Sequence, residues 1–360
     1  SARGRGRLHE MLDQRGAAAA VTSLHMRASA PKDVRDGIAR AFAHFASERP
    51  RPAYLEIPLG LLKQPAGDGW AARSLPRRAS PAAAQIRRAI AKLTGAKKPL
   101  IILGGGALDA GATALTIAEK LKAPIITTTA GKGAVPADHP LCLGYVLGRP
   151  AAWRMLAESD AILCAGSELS GTDFWNDDIL ISHDLIRVDI DPLAMSRPHP
   201  AEIAIVGDAR EALAAIAAGV AARAGEVRAT FDLGDLGPPD ALRVMLAKLL
   251  TVIRAALPPE TVICSDMTQI AYAANEVFPV SHPRTWLHPV GFGTLGFALP
   301  AGIGAKGADR EEARLLDEKP KSPLLVMERT AFDDSGRVVE YGSHVYRASR
   351  YFFDTTLVDR

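Results

Sequence analysis

The sequence predicts an α/β protein with a doubly wound parallel sheet at its centre, partial α/β units on either side and a C-terminal β-hairpin. Between residues 82 and 220, apolar runs typical of buried strands alternate with helical stripes. A second strand–helix pattern begins near residue 241, and two strand-like runs flank a turn in the last fifty residues. Continuous apolar strands alternating with helices indicate a parallel sheet covered on both faces and wound by right-handed crossovers.

The composition is that of a soluble globular protein of two or three domains. The 360 residues are 48% hydrophobic and 23% charged, and no apolar run approaches the ~18 residues of a membrane span. A net charge of +3 is too small to indicate nucleic-acid binding. The widely spaced Cys142, Cys164 and Cys264 predict buried, reduced side chains. We expect a cytoplasmic protein without membrane or nucleic-acid contacts.

The N-terminal part predicts one helix and one strand before a linker. Its basic start, "SARGRGRLHEM", has no apolar core behind it and no initiator Met, so we expect no signal peptide and a start within a longer protein. Residues 31–48 carry apolar side chains at helical spacing, and a proline-bounded strand follows within 51–62. Residues 64–81 are rich in Pro, Gly and Arg and predict a linker.

The central region has the clearest pattern of strands and helices. A helix is predicted at 107–121, where leucines share one face. Buried strands are predicted by five apolar runs, at 99–106, 124–130, 161–167, 185–191 and 202–208.

The C-terminal third predicts a shorter α/β unit and then a hairpin. Residues 221–240 predict a second linker, and "ALRVMLAKLLTVIRAAL" after it predicts a helix with a broad apolar face. Strands are predicted at 261–266 and 284–289. The strand-like runs 322–332 and 337–347 flank the turn "DDSG" and predict a β-hairpin.

Glycines in "ILGGGALDAG" follow a predicted strand and precede a predicted helix. Such a loop brings backbone N–H groups to a phosphate, which would suit a nucleotide or a flavin such as FAD. The last position of a dinucleotide motif is, however, occupied by Asp109, and nothing else in the sequence supports FAD. The alternative interpretation is a tight strand–helix turn.

Three charged residues lie at or beyond the ends of predicted strands in the central region. Asp189 and Asp191 alternate onto one side of a strand end, which would suit metal ligation or ribose binding, or else a solvated strand end or a helix cap. Lys132 lies beyond the carboxyl end of a strand, which is the ligand-binding edge of an open α/β sheet. A ligand role for Lys132 and a structural role both stay open.

An ordered set of motifs resembles thiamine-diphosphate enzymes of the acetolactate synthase and 2-oxoacid decarboxylase family. The central set is "PLIILGGGA", "APIITTTAGKGAVPADHPLCLG", "SDAILCAGS", "LIRVDIDP" and "IVGDA". "SDMTQIAYAANEVF" and "HPVGFGTLGFALPAGIGAK" resemble the start of the diphosphate-binding domain, and "GRLHEMLDQ" and "RPRPAYLEIPLGLL" the end of the pyrimidine-binding domain. The resemblance spans about residues 1–307 and implies that family's fold, a 2-oxoacid substrate and a homo-oligomer.

The same resemblance implies four cofactor-contacting residues. Gly293 matches the position whose backbone meets the aminopyrimidine, and Leu295 the bulky residue that supports the bent cofactor. Thr268 and Gln269 match the strand-end positions that meet the diphosphate. A glycine permits close backbone approach, and a rigid apolar wedge favours the reactive geometry. Ordinary helix–sheet packing is the alternative for all four.

The family also implies Mg²⁺, yet the expected metal motif does not follow "GAK". "GDG" at 67–69 lies in a linker, "GDA" at 207–209 ends the central region, and neither precedes a suitably spaced Asn. The family's activating Glu lies before the point where the chain begins, and Glu10 belongs to a different motif. We therefore expect this chain by itself to be catalytically incomplete and assign no catalytic or metal-binding residue.

The tail, residues 311–360, resembles the end of the UTRA effector-binding domain of GntR-type transcription regulators. The resemblance is carried by "PLLVMERTAFD", "GRVVEY" and "VYRASRY". It implies effector contacts at Glu340 and Tyr346, with an ordinary polar hairpin face as the alternative. The tail has 8 Lys and Arg against 10 Asp and Glu, which disfavours nucleic-acid contact.

These resemblances divide the chain near Gly307. The expected parts are a pyrimidine-domain remnant (1–63), a linker (64–81), the central domain (82–220), a linker (221–240), a truncated diphosphate-binding domain (241–307) and a partial UTRA-like segment (308–360). The first hypothesis is an acetolactate synthase-like or 2-oxoacid decarboxylase protein. The alternatives are a ligand-sensing fragment of a regulator and a non-functional fusion with only a stable central domain.

Overall fold

The computed structural model describes most of the chain. The described residues are 6, 10–67, 71, 73–176, 178–179, 181, 184–224, 241–304, 324–332 and 338–347. None of the helices among them is long and apolar enough to cross a membrane.

The N-terminal part forms a small two-stranded unit. The predicted helix is present as α2 (Pro31–Ser47), and the proline-bounded strand as β2 (Ala53–Glu56). A short helix, α1 (Gln14–Ala19), and a strand, β1 (Leu24–Arg27), precede them. β1 pairs in parallel with β2, so the connection through α2 is a βαβ crossover. β1 was not predicted, because four residues that alternate in exposure give a weak signal.

The central domain contains a six-stranded parallel sheet, which confirms the predicted doubly wound α/β architecture. The strand order is β5-β4-β3-β6-β7-β8, an order that reverses direction between β3 and β6. The strands are β3 (Pro99–Leu103), β4 (Ile125–Thr127), β5 (Cys142–Gly144), β6 (Ala161–Ala165), β7 (Leu185–Asp189) and β8 (Ile203–Val206). Five of the six coincide with predicted strands, whereas the edge strand β5 was not anticipated because its three residues are too short a run.

Helices cover both faces of this sheet. One face carries α3 (Ala83–Gly95), α4 (Gly111–Leu121) and α7 (Ala209–Gly219), which share a core cluster with inward-facing strand residues such as Ile101 and Leu163. The other face packs α5 (Pro150–Glu158) and the short α6 (Gly171–Phe174) against residues such as Ile102. The predicted helix at 107–121 begins with a 3-10 turn, Gly105–Ala110, before α4.

The C-terminal unit is smaller. Helices α8 (Ala241–Ala256) and α9 (Gln269–Val277) flank two short parallel strands, β9 (Ile263–Cys264) and β10 (Trp286–Leu287). A short helix, α10 (Ala298–Gly304), follows. The core of this C-terminal unit contains Leu250, Ala274, Phe278, Val280 and Trp286.

The predicted hairpin is present at the end of the described chain. β11 (Leu324–Phe332) and β12 (Val338–Arg347) pair antiparallel, with a register shift between Ala331 and Phe332. The predicted turn between them lies outside the described residues. This antiparallel pair differs from every other sheet described here, all of which are parallel.

Candidate functional site

The candidate site lies where β9 and β10 end. The strands are parallel, so the segments that follow them, 265–268 and 288–297, meet at one edge. A backbone hydrogen bond joins the first segment to the end of β10, since Ser265 N donates to the carbonyl of Leu287 at 2.9 Å. This edge is where ligands bind in open α/β sheets.

Asp266 links the glycine-rich segment, residues 291–296, to the end of β9 by hydrogen bonds. Its carboxylate accepts backbone N–H groups from Met267 at 2.9 Å, Gly296 at 3.1 Å and Ala298 at 3.2 Å. These hydrogen bonds lower the pKa of Asp266. Sequence reasoning missed this residue, and its only signal is an acidic side chain directly after a strand. Because its oxygens are already engaged, Asp266 is poorly placed to ligate a metal.

The segment 291–296 contains three glycines in the left-handed region. The φ angles are +90° at Gly291, +63° at Gly293 and +81° at Gly296, conformations that other residues rarely adopt. A Cβ on Gly293 would lie 3.2 Å from the Met267 Cε. Two apolar residues lie between these glycines, Phe292, which is 89% exposed, and Leu295, which is 76% exposed. The segment therefore presents bare backbone and two exposed apolar side chains, Phe292 and Leu295, beside the end of β9.

Thr268 and Gln269 lie at the start of α9. Thr268 is the N-cap residue, and its hydroxyl accepts the N–H of Ala271 at 3.3 Å. Gln269 is the first helical residue, and both side chains are exposed. Of the four sequence-predicted cofactor residues, Thr268, Gly293 and Leu295 thus lie in the two segments that follow β9 and β10, and Gln269 is the first residue of α9.

A serine–histidine pair joins the same two segments. Ser265 Oγ lies 2.8 Å from His288 Nδ1, and the His288 ring stacks on Trp286 with a 6.4 Å centroid separation. Burial lowers the pKa of His288, while the carboxylate of Asp266 acts in the opposite direction. The neutral imidazole is therefore favoured at pH 7. Sequence reasoning did not single out either member of this pair.

The glycine loop of the central domain is used for packing. Gly104 N donates to the carbonyl of Ala165 at 2.9 Å, and Gly106 N to that of Gly166 at 3.0 Å. A Cβ on Gly104 would lie 2.2 Å from the Gly166 carbonyl oxygen. Asp109 pairs with Arg284 at 2.7 Å. The structure supports the tight-turn interpretation, because the loop closes the crevice between β3 and β6 in which a dinucleotide would bind.

The carboxylates of the central domain also have structural partners. Arg49 from the N-terminal part contacts Asp189 at 2.6 Å and Asp191 at 3.5 Å, and Asp191 also caps the following turn by accepting the N–H of Leu193 at 2.9 Å. Asp208 of "GDA" caps α7 and pairs with Arg78 at 3.0 Å. These contacts favour capping and ion pairing over ligand binding. The central residue of "GDG", at 68, lies outside the described residues.

Lys132 does not line an open ligand edge. Its ammonium is buried under the C-terminal unit, where it donates to the carbonyl of Asn275 at 2.9 Å. It also lies 5.6 Å from the ring centroid of Trp286. Lys132 therefore joins the central domain to the unit that carries the candidate site.

The candidate effector residues of the tail lie in one strand. In β12, Glu340 is the register partner of Ala331 and Tyr346 that of Leu325.

Among the described residues, no group of three or more His, Cys, Asp or Glu side chains is arranged to hold a metal ion.

Comparison with known protein families gives three matches. Residues 86–216 match the central domain of thiamine pyrophosphate enzymes, and residues 266–317 match their C-terminal, cofactor-binding domain. Both of these matches are to domains of the thiamine pyrophosphate enzyme family. Residues 302–351 match the UTRA domain, so the two C-terminal matches overlap across the expected junction at Gly307.

Curated members of the thiamine pyrophosphate enzyme family match most of the chain. A "Probable 2-ketoarginine decarboxylase AruI" of Pseudomonas aeruginosa is 42% identical over 327 residues, covering 87% of this chain and 58% of that protein. The acetolactate synthase large subunit of Corynebacterium glutamicum is 30% identical, covering 85% of this chain and 52% of that protein. The chain thus spans little more than half the length of these relatives.

A solved structure shares the fold. It is described as "a putative thiamin diphosphate-dependent enzyme" from Mycobacterium smegmatis, and it superposes with a TM-score of 0.67 at 20% identity. The match covers 86% of this chain and 60% of that one. Together, the sequence and fold matches support the family resemblance found in the motifs and disfavour a regulator fragment as the main identity.

Proposed function

We propose that the segments following β9 and β10 form part of a thiamine diphosphate site inherited from a 2-oxoacid decarboxylase or acetolactate synthase-like enzyme. One observation carries the proposal: Asp266 fastens a segment of three left-handed glycines at the carboxyl edge of two parallel strands. Such a segment offers bare backbone at the edge where ligands bind.

The chain's own residues would divide the binding work. Gly293 would let the backbone approach the aminopyrimidine, and the exposed Leu295 would support the bent cofactor on its apolar side. Thr268 and Gln269 would lie at the diphosphate, because the start of α9 offers N–H groups and a positive helix end. When bound, thiamine diphosphate supplies the electron sink for breaking the bond to the carboxylate of a 2-oxoacid.

The proposed substrate class is a 2-oxoacid. It rests on the names of the relatives, one a 2-ketoarginine decarboxylase and the other an acetolactate synthase. Homo-oligomerisation and a cytoplasmic location stay predictions from the family resemblance. No FAD site is proposed, because the N–H groups of Gly104 and Gly106 already donate to backbone carbonyls and are not available to a phosphate.

Mg²⁺ is the weakest part of the family assignment for this chain. Among the described residues, no group of three or more His, Cys, Asp or Glu side chains could hold a metal ion, and the UTRA match begins at 302, just before the family's metal motif is expected. We therefore propose no Mg²⁺ ligand. We place the boundary between the two sequence types within 302–317 and propose that this chain binds the cofactor without turning over substrate.

Titration calorimetry with thiamine diphosphate, with and without Mg²⁺, tests the site. Saturable binding should weaken in Leu295→Ala and persist in Leu299→Ala, a matched control because Leu299 is 75% exposed in α10, outside the glycine segment. Absence of binding, or equal weakening in both variants, would overturn the site. Carbon dioxide release from 2-ketoarginine or pyruvate by the purified chain would overturn the claim of catalytic incompleteness.

A further inference from the structure

Lys132 is the one buried ammonium at the contact between the described parts of the central domain and the C-terminal unit. Only 7% of the residue is exposed. Its Nζ donates to the Asn275 carbonyl at 2.9 Å, and Asn275 Oδ1 in turn accepts the indole N–H of Trp286 at 3.1 Å. The neighbouring Gly133 packs so closely that a Cβ there would lie 2.3 Å from the carbonyl oxygen of His282.

The contacts of Lys132 lead directly to the candidate site. Trp286 lies in β10, and its ring stacks with that of Phe278 at 5.8 Å and with that of His288 at 6.4 Å. His288 begins the segment that contains the glycines and is bonded to Ser265 at the end of β9. The Lys132 ammonium thus contacts both the Trp286 ring and Asn275, the residue that accepts the indole N–H of Trp286. Through His288, the Trp286 ring in turn contacts the two segments that follow β9 and β10.

We propose that Lys132 is a positioning residue for the cofactor segment 288–297, acting through Trp286 and Asn275 across the contact between the two domains. The proposal rests on the proposed function for its cofactor readout only. Asn275 lies in the last turn of α9, where carbonyl groups lack helical partners and a cation is favourable. The ammonium therefore ties down the end of α9 and the start of β10 together.

The electrostatics distinguish this role from simple space filling. Burial lowers the pKa of Lys132 to about 8, while Cys142 on β5 and Glu276 on α9 act in the opposite direction. Two other titratable groups lie near this contact. Glu276 forms an ion pair with Arg149, and His282 is exposed. An apolar side chain would fill the same space without a desolvation cost, so packing alone does not account for a lysine here.

The test compares Lys132→Met with Lys132→Arg and with Lys98→Met. Methionine keeps the length and removes the charge, whereas arginine keeps the charge. Lys98 is a matched exposed lysine, paired with Glu158 at 2.9 Å far from the site. Hydrogen exchange of residues 286–297 reports positioning without cofactor, and calorimetry with thiamine diphosphate reports its consequence.

Lys132→Met should lose exchange protection in 286–297 while its unfolding midpoint is unchanged or higher. Its affinity for thiamine diphosphate should fall roughly tenfold or more, because small displacements of contacting groups weaken a preorganised site. Lys132→Arg should keep part of the exchange protection and part of the affinity for thiamine diphosphate. Lys98→Met should match the wild type in both measurements. Unchanged protection in Lys132→Met would overturn the proposal. If no form binds thiamine diphosphate, the proposed function fails while hydrogen exchange still decides the role of Lys132.

Discussion

Replacing Lys132 with methionine should change how the stability of the chain depends on pH. In the unfolded chain the ammonium keeps its proton up to about pH 10.5, whereas in the folded chain it releases the proton above about pH 8. Between these values the unfolded chain binds more protons, so the free energy of unfolding rises with pH. The wild type is therefore expected to gain stability across this alkaline window.

The magnitude follows from the two pKa values. The difference between 10.5 and about 8 corresponds to about 3 kcal/mol, since each pKa unit is worth about 1.4 kcal/mol. Below pH 8 the buried ammonium lowers the free energy of unfolding by this amount relative to a neutral group. Lys132→Met should remove that cost of about 3 kcal/mol but lose about 1 kcal/mol, because the Asn275 carbonyl no longer has its donor. The free energy of unfolding should therefore rise by about 2 kcal/mol.

Urea unfolding at several pH values between 7 and 10.5 measures the effect. The Lys132→Met variant should be more stable than the wild type by about 2 kcal/mol at pH 7, and this difference should fall steadily and reverse to about 1 kcal/mol in favour of the wild type near pH 10.5. Lys98→Met should follow the wild-type curve, because that side chain is 58% exposed. Parallel curves for the wild type and Lys132→Met would refute the assignment of a depressed pKa to this lysine.

Three further substitutions test other parts of the fold by denaturant unfolding. Burial raises the pKa of Asp173 to about 6, so stability should fall by about 3 kcal/mol as the pH rises from 4 to 6, and Asp173→Asn should abolish that fall. Gly104→Ala places a Cβ 2.2 Å from a backbone carbonyl oxygen and should destabilise strongly, whereas Gly95→Ala meets nothing within 4 Å and should not. Leu213→Ala, in the core, should cost about 2–5 kcal/mol, against about 0.5 kcal/mol or less for the exposed Leu193→Ala. Equal effects within either pair, or a retained pH step in Asp173→Asn, would contradict these assignments.

Much of the central fold could be predicted because its signals are local. Strands β3 and β6 are continuous apolar runs buried on both sides, and each is recognisable without knowing its neighbours. Strands β1 and β5 were missed for the opposite reason. They are short and partly exposed, and only pairing with β2 and β4 makes them strands.

The candidate site divides in the same way. Gly293 and Leu295 could be proposed from their motif, since the glycines that a left-handed segment requires are visible in the sequence. Asp266 could not, because two of the three N–H groups that its carboxylate accepts belong to residues about 30 positions later. Asp189 and Asp208 show the converse, since carboxylates that suggest ligand sites are already partnered by arginines from the N-terminal part and the linker.

By itself, the sequence determined the α/β class, the parallel central sheet, the C-terminal hairpin and the family, because periodicity and ordered motifs are properties of neighbouring residues. Only the tertiary structure decided which polar groups are free to act. Lys132 follows a strand end, as a ligand-binding lysine would, but the fold places α9 and β10 over it. Its carbonyl and aromatic partners lie about 140 residues away or more, so its role as an interdomain contact depends on how the two domains pack.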